Sequence, residues 1–323
     1  MDVTEQIQAM MPDLINGKTH RQLEEELVTY DRSIGCHVVD GVKFPFYVPR
    51  SNLEALKTFE VRDNDVFVIT YPKSGTHWMG EILHFILHEG KGDFDRSFMA
   101  YSLECTLVGD QTKLDSVTPG YKAIAAMKSP RCILTHCLER FRPPQLLSKN
   151  AKVVYVARNP KDVLKSWLHN VDMAPQWTFD EKVWAFCQGK FFYGSWFDHV
   201  LSYWRQRACA NFLFVKYEDL HKDLKGSICK IAKHVGKDLP DDIIDSIVES
   251  VTFSGMQSTY QQLEDNLGEE GKRLTHSLRN KPYLRKGQVG DWKNTFTVAQ
   301  SALFDKVYAL RMEGTGLEFD FEI

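Results

Sequence analysis

Residues 65–89 read DVFVITYPKSGTHWMGEILHFILHE, and the hydrophobic period changes once within them. Val66, Phe67, Val68 and Ile69 form an unbroken β-branched and aromatic run, the pattern of a parallel strand covered on both faces. From Gly75 onward Trp78, Met79, Ile82, Leu83, Phe85 and Ile86 recur at helical spacing. Thr70-Tyr71-Pro72-Lys73-Ser74 must therefore join the end of a strand to the start of a helix. This is an α/β junction, and its turn is suited to an anion. The first N–H groups of a helix lack intrahelical partners and carry about half a positive charge. Gly75 permits close approach to the backbone, Lys73 adds a full charge, and Ser74 and Thr76 add hydroxyl donors.

The order of these residues matters. A Walker A loop places its lysine after the second glycine, whereas here Lys73 precedes a single glycine, which disfavours an ordinary P-loop NTPase. Taken alone, Pro-Lys-Ser-Gly is also a plain surface turn. A second junction makes that reading harder to hold. Residues 152–170, KVVYVARNPKDVLKSWLHN, give the strand Val153–Val156, a capping Asn159 and Pro160 in the first helical turn. Arg158 leaves the strand's carboxyl end beside the helix start, with Ser166 about two turns along. Between the junctions, RCILTH (131–136) is a short strand ending at Thr135 and His136. Open parallel sheets place ligands at such ends, although an isolated histidine is more often a satisfied core or surface residue than a catalyst.

Composition bounds the rest. At 323 residues and 43% hydrophobic, the chain can bury a full core as one large α/β domain with a central parallel sheet flanked by helices. A net charge of −3 and a pI near 6.4 give no global attraction to nucleic acid or anionic membrane. Seven cysteines without C-x-x-C or zinc-finger spacing read as reduced, and no charged apolar leader or membrane-length apolar run is present, so a cytoplasmic location is expected. Glu218-Asp219 lacks further carboxylates or histidines spaced to complete a metal site and is expected to cap a helix. Residues 178–207 read as one long aromatic-rich helical stretch, and helices are expected over 220–235 and 240–250. Residues 254–282 are polar and poor in apolar periodicity, as in a mobile lid or a disordered excursion. Phe44, Phe46 and Tyr47, and then Phe98, Met99 and Tyr101, either seal a core edge or line a substrate mouth.

TYPKSGTHW resembles the 5′-phosphosulfate loop of the cytosolic sulfotransferases, TYPKSGTTW, with His77 in place of a threonine. The resemblance continues through RNPKD, through the aromatic stretch QGKFFYGSWFDH, and through RKGQVGDWK (285–293). It implies a single domain over 1–323 with a P-loop-like sulfotransferase fold, using 3′-phosphoadenosine 5′-phosphosulfate (PAPS) as sulfuryl donor and releasing the desulfonated nucleotide (PAP). The donor would be bound by Lys73, Ser74, Gly75, Thr76, His77, Trp78, Arg158, Ser166, Tyr217, Thr252, Phe253, Met256, Arg285, Lys286 and Gly287. His136 corresponds to the family's general base, Lys73 to the cation serving the leaving phosphate, and Ser166 to a serine that tempers that lysine. The acceptor is expected to be a small, largely apolar phenol, steroid or amine, contacted by Phe46, Phe98, Tyr101 and Met173, and no metal is expected. Two matches are incomplete. The family's K-T-H triplet reads Leu134-Thr135-His136 here, with Lys128 and Arg131 nearby as candidate substitutes. In the family's dimer motif Lys293, Thr297 and Val298 fit, whereas Ala302 replaces a glutamate. A small-molecule kinase, which would need Mg²⁺ and ATP, and a non-catalytic nucleotide-binding protein are the competing classes.

Overall fold

The computed structural model describes residues 3–93, 102–108, 117–170, 173–266 and 286–323. The central sheet has four parallel strands, β1 (Val66–Thr70), β2 (Cys132–Thr135), β3 (Lys152–Ala157) and β4 (Phe212–Lys216), in the order β4-β3-β1-β2. Both faces of this sheet are buried, which is why its strands carry unbroken apolar runs instead of alternating ones. Phe67, Ile69, Ile133, Val153 and Tyr155 point into the larger core, and Val66, Val68, Leu134, Val154 and Val156 into the smaller one. The smaller core is closed by Met79, Ile82, Leu83 and Ile86 of α1 (Thr76–Leu87), one stripe of that helix at i, i+3, i+4, i+7 spacing. The larger core takes Val163, Leu164 and Trp167 of α2 (Pro160–Asn170) and many of the aromatics of residues 179–204.

Beyond the sheet, α3 (Tyr217–Lys222) leaves β4 directly, and helices Leu224–His234 and Asp241–Ser250 follow near the expected limits. One expectation is corrected. The stretch over 178–207 forms separate helices, Phe179–Cys187 and Trp196–Trp204. Between them Gly189, Tyr193 and Gly194 all have positive φ, so the chain turns where a continuous helix needs right-handed geometry. The polar segment also begins as a helix, α4 (Phe253–Asn266), because Thr252 caps it by accepting the Gly255 N–H at 3.1 Å and Met256 is buried beneath it. Residues 267–282 lie outside the described residues. The C-terminal helix α5 (Val298–Met312) starts with a capping box at Thr297, and Val298 is 90% exposed, which leaves the dimer-motif residue on the surface. Among the described residues, no helix is long and apolar enough to cross a membrane.

Candidate active site

The sheet register brings the functional segments to one edge. Thr70 pairs with Val156, Ile69 with Thr135, and Lys216 with Ala157, so all four strands end at the same level. The chain leaves β1 toward β2 on one side and β3 toward β4 on the other, which puts the topological switch point between β1 and β3, flanked by the N-termini of α1 and α2.

At the first turn Lys73 adopts φ 72° and Gly75 φ 105°. A Cβ on Gly75 would stand 2.7 Å from the Tyr217 ring, so the glycine is required by both its conformation and this contact. The Ser74 side chain is buried and its hydroxyl has no hydrogen-bond partner. A buried orphan hydroxyl at a helix N-terminus fits an incoming acceptor oxygen. Trp78 donates its indole N–H to the Val251 carbonyl at 2.8 Å and meets the Tyr217 ring edge-on at 5.2 Å. His77 is partly exposed in the first turn of α1.

The second turn faces the first across Tyr217, whose ring lies 4.3 Å beneath the Arg158 guanidinium. Arg158 donates to the Gln288 carbonyl at 2.7 Å, while its Nε is buried and unpartnered. Asp162 accepts the backbone N–H groups of Gly290 (2.8 Å) and Trp292 (2.9 Å), which ties the 286–292 loop to the start of α2. A Cβ on Gly287 would stand 2.7 Å from the Phe253 ring, so Thr252, Phe253 and Met256 adjoin the same loop. Lys286 pairs with Asp291 at 2.7 Å. Asn159 accepts the Asp162 N–H at 2.9 Å as the expected cap, and its own N–H is accepted by Glu218 at 2.8 Å. Glu218 thus serves the opening of α2, and burial pushes its carboxyl up to about 7. Ser166 is partly exposed two turns into α2.

His136 follows β2, next to the end of β1. Its Nδ1 lies 2.9 Å from the Thr70 carbonyl, which can only accept, so Nδ1 carries the proton and Nε2 has a free lone pair. Thr70 Oγ1 is 2.7 Å from Thr76 Oγ1 and 3.1 Å from His136 Nδ1, which links His136 to the start of α1. Burial holds the imidazole below its ordinary value; the Glu104 carboxylate and the Thr70 carbonyl push the other way, and Lys73 adds to the lowering. Glu104 accepts the His136 N–H at 3.0 Å, the Thr135 hydroxyl at 2.7 Å and the Tyr193 hydroxyl at 3.1 Å. Neither Glu104 nor Tyr193 was expected from sequence, since 31 and 89 positions respectively separate the members of these contacts.

Leu134 points into the smaller core and is 2% exposed, on the sheet face opposite Thr135. Neither proposed substitute replaces a lysine there. Arg131 is locked at the other end of β2, donating to Asp65 (2.8 Å from Nε) and to the Glu60 carbonyl, and Lys128 is exposed before that strand begins. Phe46 is exposed against Tyr47, while Met173 is fully buried in the larger core. Phe98, Tyr101 and Arg285 lie outside the described residues.

Residues 63–316 match the family model for the sulfotransferase domain. The chain is 38% identical over 284 residues to human sulfotransferase 2B1, covering 85% of this chain and 73% of that protein. It is 37% identical to rabbit amine sulfotransferase over 84% of this chain and 88% of the relative. Among solved structures, mouse sulfotransferase SULT7A1 complexed with PAP superposes with TM-score 0.68 at 31% identity, covering 86% of this chain and 95% of that one. Retinol dehydratase superposes with TM-score 0.73 at 23% identity over 94% and 97%, a likeness of fold alone. With the family model spanning most of the chain, this protein belongs to the sulfotransferase family.

Proposed function

We propose that the protein transfers the sulfuryl group of PAPS to a hydroxyl or amine of a small, largely apolar acceptor in the cytoplasm. The observation that carries this reading is the adjacency of β1 and β3, with both helix openings meeting at Tyr217 and a base with a free Nε2 on the next strand end. The relatives supply the chemistry: the mouse structure holds PAP, and relatives include a guinea pig 3-alpha-hydroxysteroid sulfotransferase and the rabbit amine sulfotransferase.

In this scheme Ser74, Thr76 and the first N–H groups of α1 receive the 5′-phosphate, and Arg158, Ser166 and the 286–287 backbone receive the 3′-phosphate. The orphan Ser74 hydroxyl and Arg158 Nε support that assignment. The acceptor oxygen attacks sulfur and the sulfur–oxygen bond to the 5′-phosphate breaks, with its electron pair leaving on phosphate. His136 Nε2 takes the acceptor's proton, while Lys73 and the helix opening stabilise the charge appearing on the leaving phosphate.

The test is incubation of the protein with labelled PAPS and a panel of phenols, steroids and amines, with and without chelator and with ATP as the alternative donor. Sulfated product is expected with or without chelator, and His136→Ala is expected to lose ~10²–10⁴-fold in turnover while binding PAP as tightly as wild type. Turnover of ATP in place of PAPS would overturn the reading; full activity of His136→Ala would remove the base.

A further inference from the structure

Glu104 is fully buried; its side chain meets two hydroxyls and one backbone N–H, and the Cys137 thiol also hydrogen-bonds to it. Among the described residues no arginine or lysine pairs with it. The backbone N–H of His136 can only donate, so Oε1 of Glu104 accepts it, while Oε2 lies 2.7 Å from the Thr135 hydroxyl, which itself accepts the Cys137 N–H at 3.1 Å. Burying a carboxylate without a cation is costly. The carboxylate sits against the backbone of the one histidine at the sheet edge with a free Nε2. Tyr193, held at φ 63° between two helices, donates to Glu104 and sets its ring edge against the His136 ring at 5.5 Å. Strained backbone of this kind persists where the surroundings over-determine it.

We propose that Glu104 is a positioning residue for the transfer reaction: its carboxylate fixes the backbone of His136 and supplies the negative charge against which the imidazolium forms when Nε2 takes the acceptor's proton. This rests on the reading of His136 as general base. The proton remains on Nε2 until product leaves. The Glu104 charge offsets Lys73, whose positive field opposes the imidazolium from the neighbouring turn. The other titratable groups around the pair keep one charge state near neutral pH: burial pushes Cys105, Cys137, Tyr193 and Tyr155 up. His199, whose Nε2–H donates to the His136 carbonyl at 3.0 Å, is pushed down to about 3 and stays neutral.

The experiment measures kcat and kcat/KM against pH in the full chain with PAPS and one accepted phenol, alongside PAP affinity, for wild type, Glu104→Gln, Glu104→Asp, Tyr193→Phe and His136→Ala. The acid limb of kcat/KM reports the free base. Glu104→Gln keeps the shape and loses the charge, so the limb is expected to move to lower pH by about one unit, with kcat near neutral pH down ~10-fold or more and PAP affinity unchanged. Glu104→Asp, which keeps the charge, should return the limb toward wild type. A purely structural residue would lower stability and leave the limb in place, and an unmoved limb in a Glu104→Gln protein that binds PAP normally overturns the proposal. If that variant fails to fold, Tyr193→Phe decides: it removes one donor and leaves the carboxylate less neutralised, so the limb should rise in pH, and no movement or a fall overturns the role. Persistence of the limb in His136→Ala would overturn the base reading itself. A limb lost there but unmoved in Glu104→Gln would remove Glu104 alone.

Discussion

The turns after β1 and after β3 begin alike, each a buried parallel strand running into a helix, and they finish differently. The first leaves its Ser74 hydroxyl without a partner beneath the α1 N-terminus. The second is already tied into protein: Arg158 holds the Gln288 carbonyl, Asp162 holds two N–H groups of the 286–292 loop, and Glu218 holds the Asn159 N–H. The contrast matches what each is proposed to bind. A phosphate that gains charge during the reaction needs donors with capacity to spare. One that only anchors the nucleotide is best met by a preorganised frame, because fixing the frame beforehand lowers the cost of binding.

This contrast can be broken by experiment. The largest effect is expected at the first turn: Lys73→Ala should lose ~10²–10³-fold in kcat, the scale of removing one preorganised donor to a developing charge, with PAP affinity changing far less. A loss confined to nucleotide affinity would show the first turn to be another anchor. Next, Arg158→Ala should weaken PAP and PAPS equally, by roughly 10–100-fold, with kcat at saturation nearly preserved. A selective loss for PAPS would reverse the two assignments. The smallest effect concerns the frame around the second turn. Burial raises Glu218 to about 7, so between the ordinary carboxyl range and that value the folded chain holds a proton that the unfolded chain has released. The stability contributed is full at low pH and is lost as pH rises through about 7. Glu218→Gln, which still accepts the Asn159 N–H, should therefore melt a few degrees above wild type near about pH 8 and level with it near about pH 4. Equal melting curves at both values would show that Glu218 carries no such load.

What was legible in the sequence was local. The period change at Gly75, the Asn159-Pro160 helix opening and the strand end at Thr135-His136 are written in consecutive residues, and the structure keeps all three. What escaped depends on distance along the chain. Glu104 looks like one acidic letter in an unremarkable run until Tyr193 and Thr135 fold onto it. Arg131 looks like a spare cation near His136 until Asp65 is seen to hold it at the wrong end of the strand. Leu134 was readable in part, because strand alternation puts it on the face opposite Thr135, inside the core closed by α1. The break at 188–195 hid behind an aromatic composition that suits helix and loop packing equally, with Gly189 and Gly194 as its available signal.

β1 is hydrogen-bonded along both edges, to β2 and to β3, and the segments bearing Lys73, His136 and Arg158 all depart from that central ladder. The two turns and the His136 segment are therefore mounted on one stiff plate, and no hinge can open between them without unzipping its middle. Under the proposed roles, any change in the spacing of these three side chains has to come from the turns that carry them and not from the sheet beneath.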